Sequence, residues 1–345
     1  MKLLILGGTR FLGRHVVDAA LARGDEVTIF TRGKQPVPWG ARVRHLVGDR
    51  DPAKAPGLAA LEGGEWDAVI DTSGYVPRCV RASAELLAPH VGHYAFVSTM
   101  SVYAEPTRAG MDESAPLAVL DDPATEDIMP NYGALKAACE REVVAALGAE
   151  RVALVRPGLI VGPHDWTDRF GYWVARFLQP ALLGERGDAI VVPAPPSRPV
   201  QFTDGRDLAG FLLALADKRA AGAFNACSER GQWTMGMLVD TLLAAARARG
   251  RTPRVVWVDD AALLAAGIEP WMGLPLWIPD SDASAAGFLE FDCRAAHRAG
   301  LTELPLATIV ADTAAWLAER DNANAWQKAM TGAQEHALVA AVPSR

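Results

Sequence analysis

The sequence predicts an α/β fold, a Rossmann-type doubly wound parallel sheet with a smaller C-terminal α/β substrate domain. Three observations carry this. Leu3-Leu4-Ile5-Leu6 is a short continuous apolar run, as in a strand buried on both faces. Gly7-Gly8 breaks the run, and Phe11, Leu12, Val16, Val17 and Leu21 then recur at helical spacing. Strand and helix patterns go on alternating through the first half of the chain, which implies parallel strands joined by right-handed crossovers.

Taken in order, Glu26–Phe30 reads as the second strand, Val43–Val47 as the third, Ala68–Asp71 as the fourth and Tyr94–Ser98 as the fifth. Helical patterns lie at 13–23, 77–89 and 132–147, and Gly24, Gly48 and Gly92 punctuate the units. Residues 104–130, rich in Pro, Asp and Glu, form a connection long enough to suggest a functional loop. Val152–Arg156 is a sixth strand. Residues 162–200, rich in Pro, Trp and Arg, should lie outside the sheet. A helix at 207–218 leads to a short last strand, Gly222–Asn225. Beyond it come helices at 234–249, 259–266 and 306–319, a strand at 254–258 and a tryptophan-rich loop at 270–280. The last 25 residues are Ala-rich and weakly patterned.

At about 150 residues per domain, 345 residues suggest two domains. Residues 1–160 with about 200–228 should bind a dinucleotide. Residues 161–199 and 229–325 should form the substrate domain, with 326–345 as a tail. Half the residues are hydrophobic, and the net charge is −7 with scattered basic residues. That balance argues against a nucleic-acid footprint or a polybasic membrane patch. No apolar run has the length of a membrane span, and the first strand runs straight into its glycine turn without a leader pattern. Cys79, Cys139, Cys227 and Cys293 are far apart and look like reduced thiols, so the expected location is cytoplasmic.

Three constellations carry chemistry. Gly7 permits a sharp turn and a close phosphate approach, and Gly13 lets the helix pack tightly on the strand. The N–H groups at that helix start would hold a dinucleotide pyrophosphate. Tyr132 and Lys136, four apart, share a helix face. A lysine ammonium beside a phenol lowers its pKa from about 10 and equips tyrosine as an acid/base on a carbonyl or hydroxyl. The same spacing also suits a solvated pair on a helix surface. Third, Ser98-Thr99-Met100-Ser101 follows the fifth strand, where hydroxyls enter the ligand crevice of a parallel sheet or simply cap a turn.

Together these residues resemble the short-chain dehydrogenase/reductase superfamily in its extended, epimerase/dehydratase-like branch. The resemblance rests on Gly7-Gly8-Thr9-Arg10-Phe11-Leu12-Gly13, Val97 through Tyr103, Tyr132-Gly133-Ala134-Leu135-Lys136, Val155 through Pro163 and Gln201 through Ala209. It implies that Tyr132 is the acid/base, Lys136 its tuner and ribose anchor, and Thr99 the partner of the substrate oxygen. Cofactor contacts are implied for Gly7, Thr9, Arg10, Phe11, Leu12, Gly13, Arg32, Asp49, Arg50, Thr72, Ser73, Tyr132, Lys136, Pro157 and Ile160. Substrate contacts are implied for Tyr75, Met100, Ser101, His164, Trp166, Arg169 and Tyr172. Around His164–Tyr172, aromatic walls and one guanidinium would suit a ring-bearing or anionic ligand, or interdomain packing. Trp271 and Trp277 either cap the same cleft or are buried aromatics. No metal site is implied.

The pattern GGxxxxG has Arg10 where extended members carry a further glycine, and so resembles the atypical subgroup. The second strand ends Thr31-Arg32, without the acidic residue that holds an NAD ribose 2′-OH, so NADP is favoured over NAD. Met100 and Ser101 replace the acid pair of nucleotide-sugar dehydratases, and Leu159 an asparagine common in nucleotide-sugar enzymes. The expected function is NAD(P)-dependent hydride transfer at a carbonyl or hydroxyl carbon of a small molecule. Two alternatives stand beside it: a sugar or nucleotide-sugar epimerase, and a non-catalytic dinucleotide-sensing or RNA-associated protein. A homodimer through helices 77–89 and 132–147 is implied by resemblance alone.

Overall fold

The computed structural model describes residues 1–184, 186–323 and 325–341. In chain order the elements are β1 (Lys2–Leu6), α1 (Phe11–Ala22), β2 (Glu26–Thr31), β3 (Val43–Val47), β4 (Trp66–Asp71), α2 (Pro77–Leu87), β5 (Val91–Val97), α3 (Ile128–Leu147), β6 (Val152–Pro157) and β7 (Leu159–Val161). There follow α4 (Arg169–Leu178), β8 (Ala189–Pro193), β9 (Pro199–Val200), β10 (Phe202–Asp204), α5 (Gly205–Lys218), β11 (Gly222–Ala226), β12 (Trp233–Thr234) and α6 (Met235–Arg247). The chain closes with β13 (Arg254–Val258), α7 (Asp260–Ala265), α8 (Arg294–Ala299), α9 (Leu306–Glu319) and α10 (Gly332–Ala341).

Seven parallel strands form the central sheet in the order β11-β6-β5-β4-β1-β2-β3. Successive side chains of a strand point to opposite faces. Leu3 and Ile5 therefore pack with Val16, Leu208 and Leu212 on one side, while Leu4 and Leu6 pack with Val80, Ala84 and Val143 on the other. The apolar run read in the sequence is this two-sided burial. The order in which strands are added reverses between β1 and β4. A doubly wound sheet opens its ligand crevice at the carboxyl ends of strands at such a point.

A second core lies beyond the sheet. It gathers α4, β8, β13, α6, α9 and the tryptophan-bearing segment around Trp277. The short pairs β7–β10 and β8–β13 are parallel, and β9–β12 is antiparallel. Residues 162–200 do lie outside the central sheet, but they contain α4 and β8, which the sequence pattern does not announce. Every residue of α4 from Phe170 to Leu178 is buried, so this helix has no polar face to reveal its period. The stretch from 326 onward is also more than a loose tail. Met330 and Leu338 sit in the second core, and buried Glu335 of α10 receives Arg176 Nε at 3.0 Å and Arg186 Nη1 at 3.1 Å. The last four residues of the expected tail lie outside the described residues.

Candidate active site

The crevice at the carboxyl ends of β1, β4, β5 and β6 is a cavity of about 1000 Å³. Its lining brings together the glycine turn, the ends of β2 and β3, the loops after β4 and β5, the start of α3, and side chains of the second core.

At the turn, Gly7 and Gly8 have φ of +107° and +105°, the left-handed region that favours glycine. A Cβ on Gly7 would meet Thr72 Oγ1 at 2.4 Å, and one on Gly13 would meet the Gly8 backbone at 2.7 Å. These glycines let β1, α1 and the loop after β4 approach closely. No side chain caps α1, so its first N–H groups are left for another partner; Phe11, Leu12 and Gly13 line the cavity. That arrangement fits a dinucleotide pyrophosphate.

At one end the cavity meets solvent. Arg10, Arg32 and Lys34 line it, all exposed, and none has an ion-pair partner among the described residues. Thr31 Oγ1 is hydrogen-bonded to His45 Nε2 at 2.8 Å and accepts from Gly33 N. Asp49 faces the same end and accepts from Asp51 N. Arg78 bridges the rim, bonding Asp51 at 2.7 Å and Glu126 at 2.8 Å. Arg50 also lines the cavity. Its two amino groups go to the Asp71 carboxylate at 2.5 Å each, and one also to Ser83. Its guanidinium is thus bound into the floor of the cavity. Burial alone would raise the Asp71 carboxyl, but Arg50 and the Ser73 N–H hold it below its ordinary value. Thr72 and Ser73 both line the cavity and give their hydroxyl protons to Leu6 O.

The other end is buried. α3 is kinked at Asn131, where φ is −114° and ψ 17°, so its regular part begins at Tyr132. A Cβ on Gly133 would lie 1.9 Å from Ser101 O. Glycine there lets α3 press on the loop after β5, and the Tyr132 phenol lies near enough to Thr99 for the threonine to favour its ionised form. Thr99 Oγ1 also accepts from Ser101 N at 3.1 Å. Ser98 lines the cavity with a buried Oγ that has no partner. Lys136 does not engage the tyrosine. Its Nζ donates to Gly74 O and Val97 O, both at 2.6 Å, and lies 4.1 Å from the centre of the Phe96 ring. Burial pulls Lys136 down to about 8 and pushes Tyr132 up to about 12. The expected lowering of the tyrosine by the lysine is therefore absent from this state: burial raises the phenol, and Lys136 is not among the groups that act on it.

Pro157, Ile160, Met100, Ser101, Tyr75, Trp166 and Arg169 all line this end or its mouth. Two expected substrate residues do not. Tyr172 is fully buried in the second core, 5.2 Å from the Trp173 ring. His164 sits between His15 and Trp316, with ring centres at 5.6 and 5.8 Å, and burial beside Arg14 and His15 lowers it to about 4. Of the two tryptophans in the later loop, Trp271 lines the cavity and Trp277 is buried, donating to Asp260. Lys34, Ile128, Thr167 and Phe288 also line the cavity and were not foreseen. Lys34, two residues past Arg32, had a readable signal. Phe288 reaches the site only through the packing of the second core.

A family model, the NAD dependent epimerase/dehydratase family, matches residues 3–227. The chain is 30% identical over 277 residues to a 2-alkyl-3-oxoalkanoate reductase of Stenotrophomonas maltophilia (strain K279a), covering 74% of this chain and 77% of that one. It is 27% identical over 245 residues to the chloroplast stem-loop binding protein of 41 kDa b of Arabidopsis thaliana, covering 66% of this chain and 59% of the plant protein's length. Among solved structures, the Bordetella bronchiseptica enzyme WbmG in complex with NAD and UDP superposes with a TM-score of 0.64 at 15% identity, covering 92% of this chain and 95% of that one. This last likeness speaks to the fold.

Proposed function

From the premise that this chain belongs to the NAD dependent epimerase/dehydratase family, we propose that it is an NADP-dependent reductase of a small-molecule carbonyl compound. The observation that carries the direction is Tyr132. A phenol pushed up to about 12 keeps its proton at neutral pH, which suits an acid that protonates a carbonyl oxygen. The relative whose printed name is a reductase agrees with that direction.

We assign the roles as follows. The N–H groups at the start of α1 hold the pyrophosphate, and Arg10, Arg32 and Lys34 receive a 2′-phosphate. An ammonium has three donors, and Lys136 uses two on Gly74 and Val97, leaving one for a ribose hydroxyl. The bound nicotinamide supplies the hydride. Tyr132 donates its proton to the carbonyl oxygen, and Thr99, which lines the cavity with it, holds that oxygen in reach. Residues 1–160 with 200–228 carry the dinucleotide, and residues from 161–199 and 229–325 close the substrate end. Asp49 lies where the adenine would rest.

An epimerase would use the same groups and return the hydride to the other face. A stem-loop binding role, the printed activity of the plant relative, would need a basic face. Here the net charge is −7, and the cations at the cavity line a dinucleotide-sized cleft. No helix among the described residues is long and apolar enough to cross a membrane.

The test is consumption of NADPH and of NADH over a panel of ketones and oxo acids. NADPH-linked consumption of at least one member is expected. Equal or faster use of NADH would remove the 2′-phosphate assignment. Inversion of a sugar nucleotide without net cofactor change would transfer the reading to an epimerase.

A further inference from the structure

Among the described residues, the substrate end holds one guanidinium without an ion-pair partner. Arg169 opens α4, its Cζ lies 5.5 Å from the centre of the Trp271 ring, and its Nε is buried with no hydrogen-bond partner. The neighbouring cations are committed. Lys136 is held by two carbonyls, Arg78 by Asp51 and Glu126, and Arg320 by Asp168 at 2.5 Å. Asp165 influences Arg169 but makes no ion pair with it; its Oδ1 accepts from Thr167 N at 2.8 Å. Asp165 acts on it only at a distance, and a half-buried guanidinium with no direct ion pair is costly to keep. An enclosed site that keeps one is arranged for a ligand that brings the counter-charge.

We propose that the substrate is an oxo acid whose carboxylate pairs with Arg169 while Tyr132 protonates its carbonyl. The proposal rests on the reductase reading above. Tyr132 and Arg169 line the same cavity, so one small molecule can meet both. The planar fork of arginine matches a carboxylate bidentately. Trp271, Phe288 and Met100 supply an apolar wall for the rest of the molecule. One uncommitted cation suits a monoanion, whereas a nucleoside diphosphate carries more charge than this end can pair. In the reaction the carbonyl carbon gains hydride and its oxygen gains the Tyr132 proton. NADPH becomes NADP⁺, the phenolate recovers a proton from solvent, and the carboxylate changes no bond.

The test separates binding from turnover. Decanoate, which has no carbonyl to reduce, decanamide and UDP are each titrated by calorimetry into the NADPH-loaded chain and its Arg169→Gln variant. The wild type should bind decanoate about 10- to 100-fold more tightly than decanamide, the worth of a charge-assisted pair. Arg169→Gln should erase that preference, and Arg169→Lys should restore part of it. Equal affinity for decanoate and decanamide in the wild type overturns the proposal and needs no variant. So does Arg169-dependent binding of UDP tighter than that of decanoate. If decanoate binds through Arg169 yet no oxo acid is reduced, the reductase reading fails and the carboxylate site stands. If neutral ketones are reduced as well as oxo acids, the reverse holds.

Discussion

The two ends of the cavity handle charge in opposite ways. At the open end Arg10, Arg32 and Lys34 are exposed and have no ion-pair partner among the described residues. Their full charges cost little to keep, because water screens them. At the closed end Lys136 and Arg169 are drawn out of water, and both are pulled below their ordinary values by burial. The open end can therefore discriminate between ligands by charge without altering its own protonation. The closed end is where ionisation becomes part of the chemistry. Recognition of the cofactor and proton transfer to the substrate are thus assigned to separate electrostatic environments of one cavity.

The largest expected effect is at the closed end. Tyr132→Phe removes the acid and should lower kcat/KM for carbonyl reduction by about 10²- to 10⁴-fold. With the tyrosine pushed up to about 12, reduction by the wild type should be insensitive to pH between about 6 and 7 and should decline only as Lys136 loses its proton near 8, while the reverse oxidation should climb with pH. A reductive profile that falls away across neutrality would contradict a protonated phenol.

Next comes Asp165. Burial raises its carboxyl to about 6, so the folded chain binds a proton there more readily than the unfolded chain does. The sign follows. Stability from this group is full below about pH 4, declines as pH rises to about 6, and stays reduced above. Asp165→Asn abolishes that dependence. Between about pH 4 and pH 7, variant stability relative to wild type should move in the variant's favour by up to about 3 kcal/mol, as followed by chemical denaturation. A constant difference across that range would mean that Asp165 is not desolvated.

The smallest effect is at the open end. Arg32→Ser should weaken NADPH by about tenfold or less and leave NADH unchanged, and rising salt should shrink the difference. Loss of both dinucleotides together would place Arg32 in the fold rather than at a 2′-phosphate.

Legibility in the sequence follows the same division between local and long-range causes. The glycine turn, β1 and α1 were readable because their packing partners are each other and the two-sided sheet. Gly13 against the Gly8 backbone is such a local constraint. Thr99 and Tyr132 were readable as motif positions. Their meeting in one cavity goes with the close approach of Gly133 to Ser101, a contact across 32 residues of chain that the motif does not show. The second core was poorly readable. α4 is buried all round, β9 and β12 are two residues long, and α10 turns its Glu335 inward to Arg176, which inverts the usual amphipathic pattern. Tyr172 and His164 were placed at the substrate by their nearness in sequence to Trp166 and Arg169. The helix and loop that carry them take them into the second core and behind α1 instead.

The central claim is that the two ends act independently. Its most direct measurement is a cycle of Tyr132→Phe, Arg32→Ser and the double variant, with NADPH affinity and kcat determined for each. Tyr132→Phe should lower kcat and leave NADPH affinity intact. Arg32→Ser should weaken NADPH and leave kcat at saturating cofactor intact, and the double variant should show both effects additively. An NADPH affinity that falls with Tyr132→Phe, or a saturated kcat that falls with Arg32→Ser, would contradict the division of labour on which the account depends.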